Sequence, residues 1–174
     1  AVALEEGLPI RLIQKGVEKF TGVSRRYEKH NLIINNQDIT LIDDYGHHPL
    51  EIHSNINAYQ EEYPDKKACM IFQPHRYSRT AQLFDDFIKV LLKTDSLIIL
   101  DIYSASERPI KGIHSRTIVE TMKQKGHKNV SYLKNQNEIL KFIKNNVSSY
   151  DLLVTQGAGS VSKVCETIVK KWKV

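Results

Sequence analysis

Apolar residues recur along most of the chain in short runs that alternate with amphipathic stretches. Ala68 to Phe72, Ser96 to Leu100, Val130 to Leu133 and Leu152 to Thr155 are near-continuous apolar segments of strand length. Each is followed by a segment with helical spacing: Thr80 to Leu92, Ser115 to Lys125, Asn137 to Asn146 and Val161 to Trp172. Strands without polar alternation, separated by helices, predict an α/β fold whose mostly parallel sheet is covered by helices on both faces, a Rossmann-like arrangement. Ahead of these units, Arg25 to Ile34 and Asp38 to Asp43 read as two strands joined through Asn35-Asn36, a pair able to take positive φ. The first of them would be an antiparallel edge. A helix is expected from Pro49, which suits a first helical turn, to about Glu62.

The opening residues differ from the rest. A helix ending at Gly7 and a second from Pro9 to Phe20, with Ile10, Ile13, Val17 and Phe20 on one face, cannot close a core between them. Residues 1–22 are therefore expected to be the tail of a preceding domain, with Thr21-Gly22 as hinge and residues 23–174 as the domain proper. The absence of an initiator methionine at Ala1 fits a piece of something longer.

Composition narrows the class. With 174 residues, 41% hydrophobic and 26% charged, the chain has material for one ordinary core. No apolar run approaches the roughly 20 residues of a membrane helix, and no basic-then-apolar leader is present, so a cytoplasmic location is expected. The net charge of +5 is spread over scattered lysines and helix ends, without aromatic residues interleaved in a basic stripe, so a solvated basic surface is expected and nucleic acid is not. Cys69 and Cys165 stand singly in apolar segments and read as reduced core residues.

Candidate chemistry gathers in the loops that follow strands. Asp43-Asp44-Tyr45-Gly46-His47-His48-Pro49 closes one apolar run, and Gln73-Pro74-His75-Arg76-Tyr77-Ser78-Arg79-Thr80 closes another. Such loops sit at the carboxyl ends of strands, where open α/β sheets bind ligands, so the two are expected to face one cleft. The acids are turn formers and helix caps, or acceptors for ribose hydroxyls with the Tyr45 ring against a base or sugar face. His47 and His48 are adjacent, a poor arrangement for one metal ion, and no metal site is expected. An imidazole beside an amine or carboxylate, or one that caps the next helix, both remain open. Arg76 and Arg79 are solvated, or they converge with Gln73, His75 and Ser78 on a carboxylate or phosphate. Gly157-Ala158-Gly159-Ser160 follows the last strand; it lacks the third glycine of a dinucleotide fingerprint and fits a tight turn or a close backbone approach to a ligand. No GxxxxGK[ST] occurs, so this chain by itself is not expected to turn over ATP.

The motifs DDYGHHP, QPHRYSRT, DIYSASE and TQGAGS, in this order from about Gly22 onward, resemble the C-terminal domain of Mur ligases of the MurC type, which join L-alanine to UDP-N-acetylmuramate. The resemblance implies ATP and Mg as substrate and cofactor of a full-length bacterial enzyme, none of them held by this domain alone. A central ATPase domain and an N-terminal UDP-binding domain would be its partners in the same chain. It also implies residue roles: Arg26 and Asp44, beside Tyr45, toward the nucleotide; His48, Arg76, Arg79 and Ser160 toward the amino acid or product; His47, His75, Gly157 and Gly159 in support. Leu50 replaces the usual threonine, and Ser104 and Ser106 stand where alanine and glycine are common. Two other readings stay open: a related ligase that attaches a recycled tripeptide, which diverges at QPHRYSRT, and a free-standing nucleotide- or anion-binding module.

Overall fold

A computed structural model of the chain describes residues 1–20 and 22–173. Its strands are β1 (Glu28–Ile34), β2 (Gln37–Asp44), β3 (Ala68–Phe72), β4 (Ser96–Ile99), β5 (Val130–Tyr132) and β6 (Leu152–Gln156). They form one six-stranded sheet in the order β1-β2-β6-β3-β4-β5. Only the β1–β2 pair is antiparallel, so β1 is the expected antiparallel edge. Asn35 and Asn36, at φ 51° and 64°, make the hairpin turn between Ile34 and Gln37.

The α-helices are α1 (Val2–Glu5), α2 (Ile10–Glu18), α3 (Pro49–Glu62), α4 (Tyr77–Gln82), α5 (Phe84–Leu91), α6 (Ser115–Gln124), α7 (Gln136–Asn146) and α8 (Val161–Trp172). The period of two along each strand sends neighbouring residues to opposite faces. Ile42, Met70, Phe72 and Val154 pack against α3, α5 and α6, whereas Leu41, Cys69, Ile71 and Leu153 pack against α7 and α8. Both faces are covered, which is why the strands carry no polar alternation. Cys69 and Cys165 are free and buried, and burial pushes both thiols up to about 12.

Two boundaries differ from the sequence expectation by more than two residues. The strand expected from Arg25 starts at Glu28, because Arg25 and Tyr27 take φ 58° and 54° and turn the chain. Glu28 accepts from the Arg25 amide at 2.8 Å, and Asp44 accepts from the Tyr27 amide at 3.0 Å, which holds that turn. The single helix expected over Thr80 to Leu92 is two helices, and the first already begins at Tyr77. Leu83, at φ −110° and ψ 25°, leaves helical geometry between them without a glycine or proline to mark it.

The first 20 residues contribute nothing to either core: α1 and α2 have no buried residue. The expected hinge falls partly outside the described residues, which exclude Thr21; Gly22 takes φ 92°. The sheet order also positions the site. After β2 and β3 the chain continues into helices on one face, but after β6 it continues into α8 on the other. Loops diverge on either side of β6, the crevice geometry at which α/β sheets take ligands.

Candidate functional site

The loop between β2 and α3 is built around its two acids. Asp43 is buried, and a buried charge needs partners. Arg25 supplies one through Nε at 2.9 Å and Thr155 Oγ1 another at 2.7 Å, while Arg25 Nη2 donates to the Gly157 carbonyl at 2.7 Å. Asp44 accepts from the Tyr27 amide at 3.0 Å, the Gly46 amide at 2.8 Å and Gln156 Nε2 at 2.9 Å. Gln156 is fully buried; its Nε2 also donates to the Gly46 carbonyl at 2.6 Å, and its Oε1 accepts from Asn55. Residue 46 must be glycine, since a Cβ there would lie 2.7 Å from Asp44 Oδ1 and 2.9 Å from Gln156 Nε2. With the loop fixed in this way, Tyr45 stands exposed, with the Arg25 and Arg26 guanidinium carbons 5.4 and 5.3 Å from its ring centre. An aromatic face flanked by two cations suits a base or sugar ring with phosphates beside it.

The start of α3 sorts the histidines. His48 is the N-cap, and its Nδ1 accepts from the Leu50 amide at 3.3 Å. Glu51 closes the cap by accepting from the His47 and His48 amides at 2.8 and 2.9 Å. Burial pushes the Glu51 carboxyl up, but those two amides, with His47 and Arg26 nearby, outweigh it and hold the group below its ordinary range. His47 points the other way. Its ring meets Tyr45 edge-on at 5.6 Å and His75 at 5.1 Å, and His75 in turn stacks on Tyr103 at 5.4 Å. A row of rings thus runs across three strand-end loops.

The loop after β3 places the arginines. Arg76 precedes α4 at φ 73°, a backbone state that favours glycine, and its amide donates to the Tyr103 carbonyl at 2.8 Å. Its side chain is exposed and forms no ion pair among the described residues. Arg79 turns back, with Nη1 3.3 Å from His75 Nδ1. Burial, then His47, Arg79 and Arg76 in turn, lower the His75 pKa below its ordinary value. Glu107, in the loop after β4, accepts from Ser78 N at 2.9 Å and Ser78 Oγ at 2.6 Å and so anchors the first turn of α4.

The loop after β6 is held by Gln73, which is itself buried. Gln73 Oε1 accepts from the Val161 amide at 2.8 Å at the start of α8; its Nε2 donates to Ser160 Oγ at 3.1 Å and to the Asp101 carbonyl at 3.2 Å. Gly157 takes φ 137° close to the Gln73 carbonyl, and a Cβ on Gly159 would meet Gln73 Oε1 and Tyr103 Cγ at 2.6 Å. Both glycines are required by neighbouring protein atoms.

The two motif loops therefore do face each other, through His47 and His75. His47, His75 and Arg79 form one group, Arg26 and Tyr45 a second with Arg25 and Asp44, and Ser160 joins Gln73. His48 is engaged in its helix cap. Arg25, Gln156 and Tyr103 carry no signal in spacing or composition that marks their part. Glu51 had one, since an acid three residues after a helix N-cap is the capping-box pattern. Among the described residues no three His, Cys, Asp or Glu side chains converge as metal ligands would, and no helix is long and apolar enough to cross a membrane.

Comparison with known proteins gives a consistent picture. The family described as "Mur ligase, glutamate ligase domain" matches residues 25–159. A UDP-N-acetylmuramate–L-alanine ligase of Vesicomyosocius okutanii is 42% identical over 168 residues, covering 96% of this chain and 36% of that protein. A ligase of the same name from Geotalea uraniireducens is 40% identical over 173 residues, covering 99% of this chain and 37% of its own length. The crystal structure of the Thermotoga maritima UDP-N-acetylmuramate-alanine ligase superposes with a TM-score of 0.73 at 24% identity, over 98% of this chain and 35% of that one. This chain thus spans about a third of the length of these relatives.

Proposed function

The chain belongs to the Mur ligase family, as its C-terminal glutamate ligase domain, and from that membership we propose that it is the closing domain of an ATP-dependent UDP-N-acetylmuramate–L-alanine ligase of the bacterial cytoplasm. In the full-length protein the UDP-N-acetylmuramate carboxylate is activated by ATP as an acyl phosphate. The alanine amine then displaces phosphate to give the amide of a peptidoglycan precursor. Residues 1–22 are the tail of a central ATPase domain, and an N-terminal domain holds the UDP sugar. ATP phosphates and Mg belong to the central domain, because this chain contains no P-loop. Its own contribution is to bring two half-sites down onto them. Tyr45, on the loop ordered by Asp44, and Arg26, in the turn before β1, lie against the nucleotide; Arg79, Arg76 and His75 take the amino-acid carboxylate.

The observation that carries this proposal is the juxtaposition at one sheet edge of a cation-flanked Tyr45 and the His47–His75–Arg79 group, whose His47 and His75 rings are 5.1 Å apart. A charge-assisted bond from Arg79 to a carboxylate is worth about 1.5–3 kcal/mol. Arg79→Ala in the full-length protein is therefore expected to raise KM for alanine by roughly 10- to 100-fold with little change in KM for ATP. Steady-state phosphate release at varied alanine and varied ATP measures both. Equal effects on the two substrates would remove Arg79 from the amino-acid site.

A further inference from the structure

Three imidazoles stand at the amino-acid side of the crevice, and the hydrogen bond each one makes fixes which ring nitrogen carries its proton. An amide N–H can only donate, so the Leu50 amide at 3.3 Å makes His48 Nδ1 an acceptor. A guanidinium can only donate, so Arg79 at 3.3 Å makes His75 Nδ1 an acceptor as well. When neutral, both rings carry their proton on Nε2 and offer no lone pair there. His47 is the reverse. Its Nδ1 lies 3.2 Å from the Tyr45 carbonyl, which can only accept, so Nδ1 carries the proton and the Nε2 lone pair remains. No described residue hydrogen-bonds that Nε2.

We propose that His47 Nε2 is the proton acceptor for the incoming amine, a role that rests on the ligase function proposed above. An amino acid arrives as an ammonium and cannot attack until it loses a proton. One proton passes to Nε2; the freed lone pair forms the C–N bond at the carboxyl carbon of the acyl phosphate. The C–O bond to phosphate breaks with its electron pair on the phosphate oxygen, and the second amine proton leaves with that phosphate. His47 becomes an imidazolium and returns its proton to solvent as product departs.

The surroundings of His47 favour that cycle. Glu51 Oε2 lies 3.9 Å from Nδ1, nearer that nitrogen than Nε2, and an ionised carboxylate at this distance favours an imidazolium by charge without sharing the Nδ1 proton. Glu51 is kept ionised and fixed by the His47 and His48 amides. His75, 5.1 Å away, is biased toward its neutral form by burial and by the nearby cations, so it does not oppose charge on His47. Arg79 Nη1 lies 3.3 Å from His75 Nδ1, so the proposed carboxylate partner and His47 flank the same imidazole.

The test separates proton removal from positioning by changing the nucleophile. His47→Asn in the full-length protein keeps a side-chain N–H for the Tyr45 carbonyl but cannot accept a proton. General-base loss is expected to lower kcat/KM for alanine by about 100-fold or more, with a rate that climbs with pH as free amine accumulates. Hydroxylamine is largely unprotonated at neutral pH, so its use as nucleophile should leave phosphate release within a few-fold of the unsubstituted enzyme. Ring-nitrogen NMR of the unsubstituted full-length protein should find His47 protonated at Nδ1, opposite to His48 and His75. Equal loss with both nucleophiles, no loss with alanine, or an Nε2-protonated His47 would each overturn the proposal while leaving the ligase function standing. Failure of the unsubstituted full-length protein to release phosphate with alanine would instead refute the ligase function, and this role with it.

Discussion

Gln156 is the residue on which the nucleotide-side loop depends most, and its removal has a cost that follows from its partners. Gln156→Leu deletes a donor to the Asp44 carboxylate, a donor to the Gly46 carbonyl and the acceptor for Asn55 Nδ2. Asp44 retains two amide donors and stays partly satisfied. The Gly46 carbonyl loses its side-chain donor, and Asn55, whose Oδ1 already has no partner among the described residues, loses its last side-chain bond. Each group stranded in this way costs about 1–3 kcal/mol, and a bond to a carboxylate is at the upper end. A buried leucine returns roughly 1.5–3 kcal/mol of apolar burial at best. The net loss is then about 2–4 kcal/mol, a large part of the roughly 5–15 kcal/mol of a domain. Urea unfolding should show the midpoint falling by about 1–2 M at an unchanged slope.

A companion substitution fixes the cause. Adding Asn55→Leu to Gln156→Leu removes the stranded amide and should recover part of the loss, since replacing both partners of a buried bond is far cheaper than replacing one. Gln156→Glu instead places a second carboxylate beside Asp44, 2.9 Å from where the amide now donates. Two like charges so close cannot both ionise freely, so one acid titrates above its ordinary value in the fold. The folded state then holds more protons than the unfolded one, and stability falls as pH rises. A Gln156→Leu loss below about 1 kcal/mol, or a Gln156→Glu variant that gains stability with pH, would refute this account of the loop.

Two further outcomes test the neighbouring loops. Gly159→Ala should cost about 1–3 kcal/mol through overpacking, because its methyl would sit 2.6 Å from Gln73 Oε1 and Tyr103 Cγ; thermal unfolding reads it, and an unchanged melting temperature would show that the α8 start yields easily. His75 has its pKa lowered from 6.5, so below 6.5 the unfolded chain binds more protons and the stability of the neutral ring, fully present above 6.5, drains away as pH falls. His75→Asn should flatten the slope of unfolding free energy below about pH 6.5 and leave it unchanged above, and an unaltered slope below 6.5 would assign it to other groups.

Where local pattern and tertiary structure agree, the chain was legible. Ala68 to Phe72 is apolar throughout because every one of its residues is buried, alternately under α3, α5 and α6 and under α7 and α8. Asn35-Asn36 announces its hairpin because asparagine tolerates the positive φ that the turn needs. The breaks were silent for the same kind of reason. At Leu83 the hydrogen bonds Leu83 N to Arg79 O and Phe87 N to Leu83 O both persist, at 2.9 Å each, so the apolar spacing runs on across the bend and periodicity reports one helix. Arg25 and Tyr27 turn the chain with positive φ but without glycine, held by Glu28 and Asp44, partners that no local signal reveals.

The site shows the same division at the level of single atoms. Residue type places acids, imidazoles and guanidiniums in strand-end loops, but it does not say which of their atoms the fold has already used. Asp44 looks like a free ribose acceptor in sequence; in the fold the Tyr27 amide, the Gly46 amide and Gln156 Nε2 already donate to it. His47 and His48 are adjacent and chemically identical, yet the Leu50 amide takes the Nδ1 lone pair of one and the Tyr45 carbonyl takes the Nδ1 proton of the other. The helix that begins at Pro49 makes that distinction, because a capping histidine must turn its lone pair toward the first amides of α3. Its predecessor is left with the opposite tautomer and a bond to the loop carbonyl. A pair of histidines that reads as redundant is thereby divided by helix capping into one that starts α3 and one with a free basic nitrogen at the crevice.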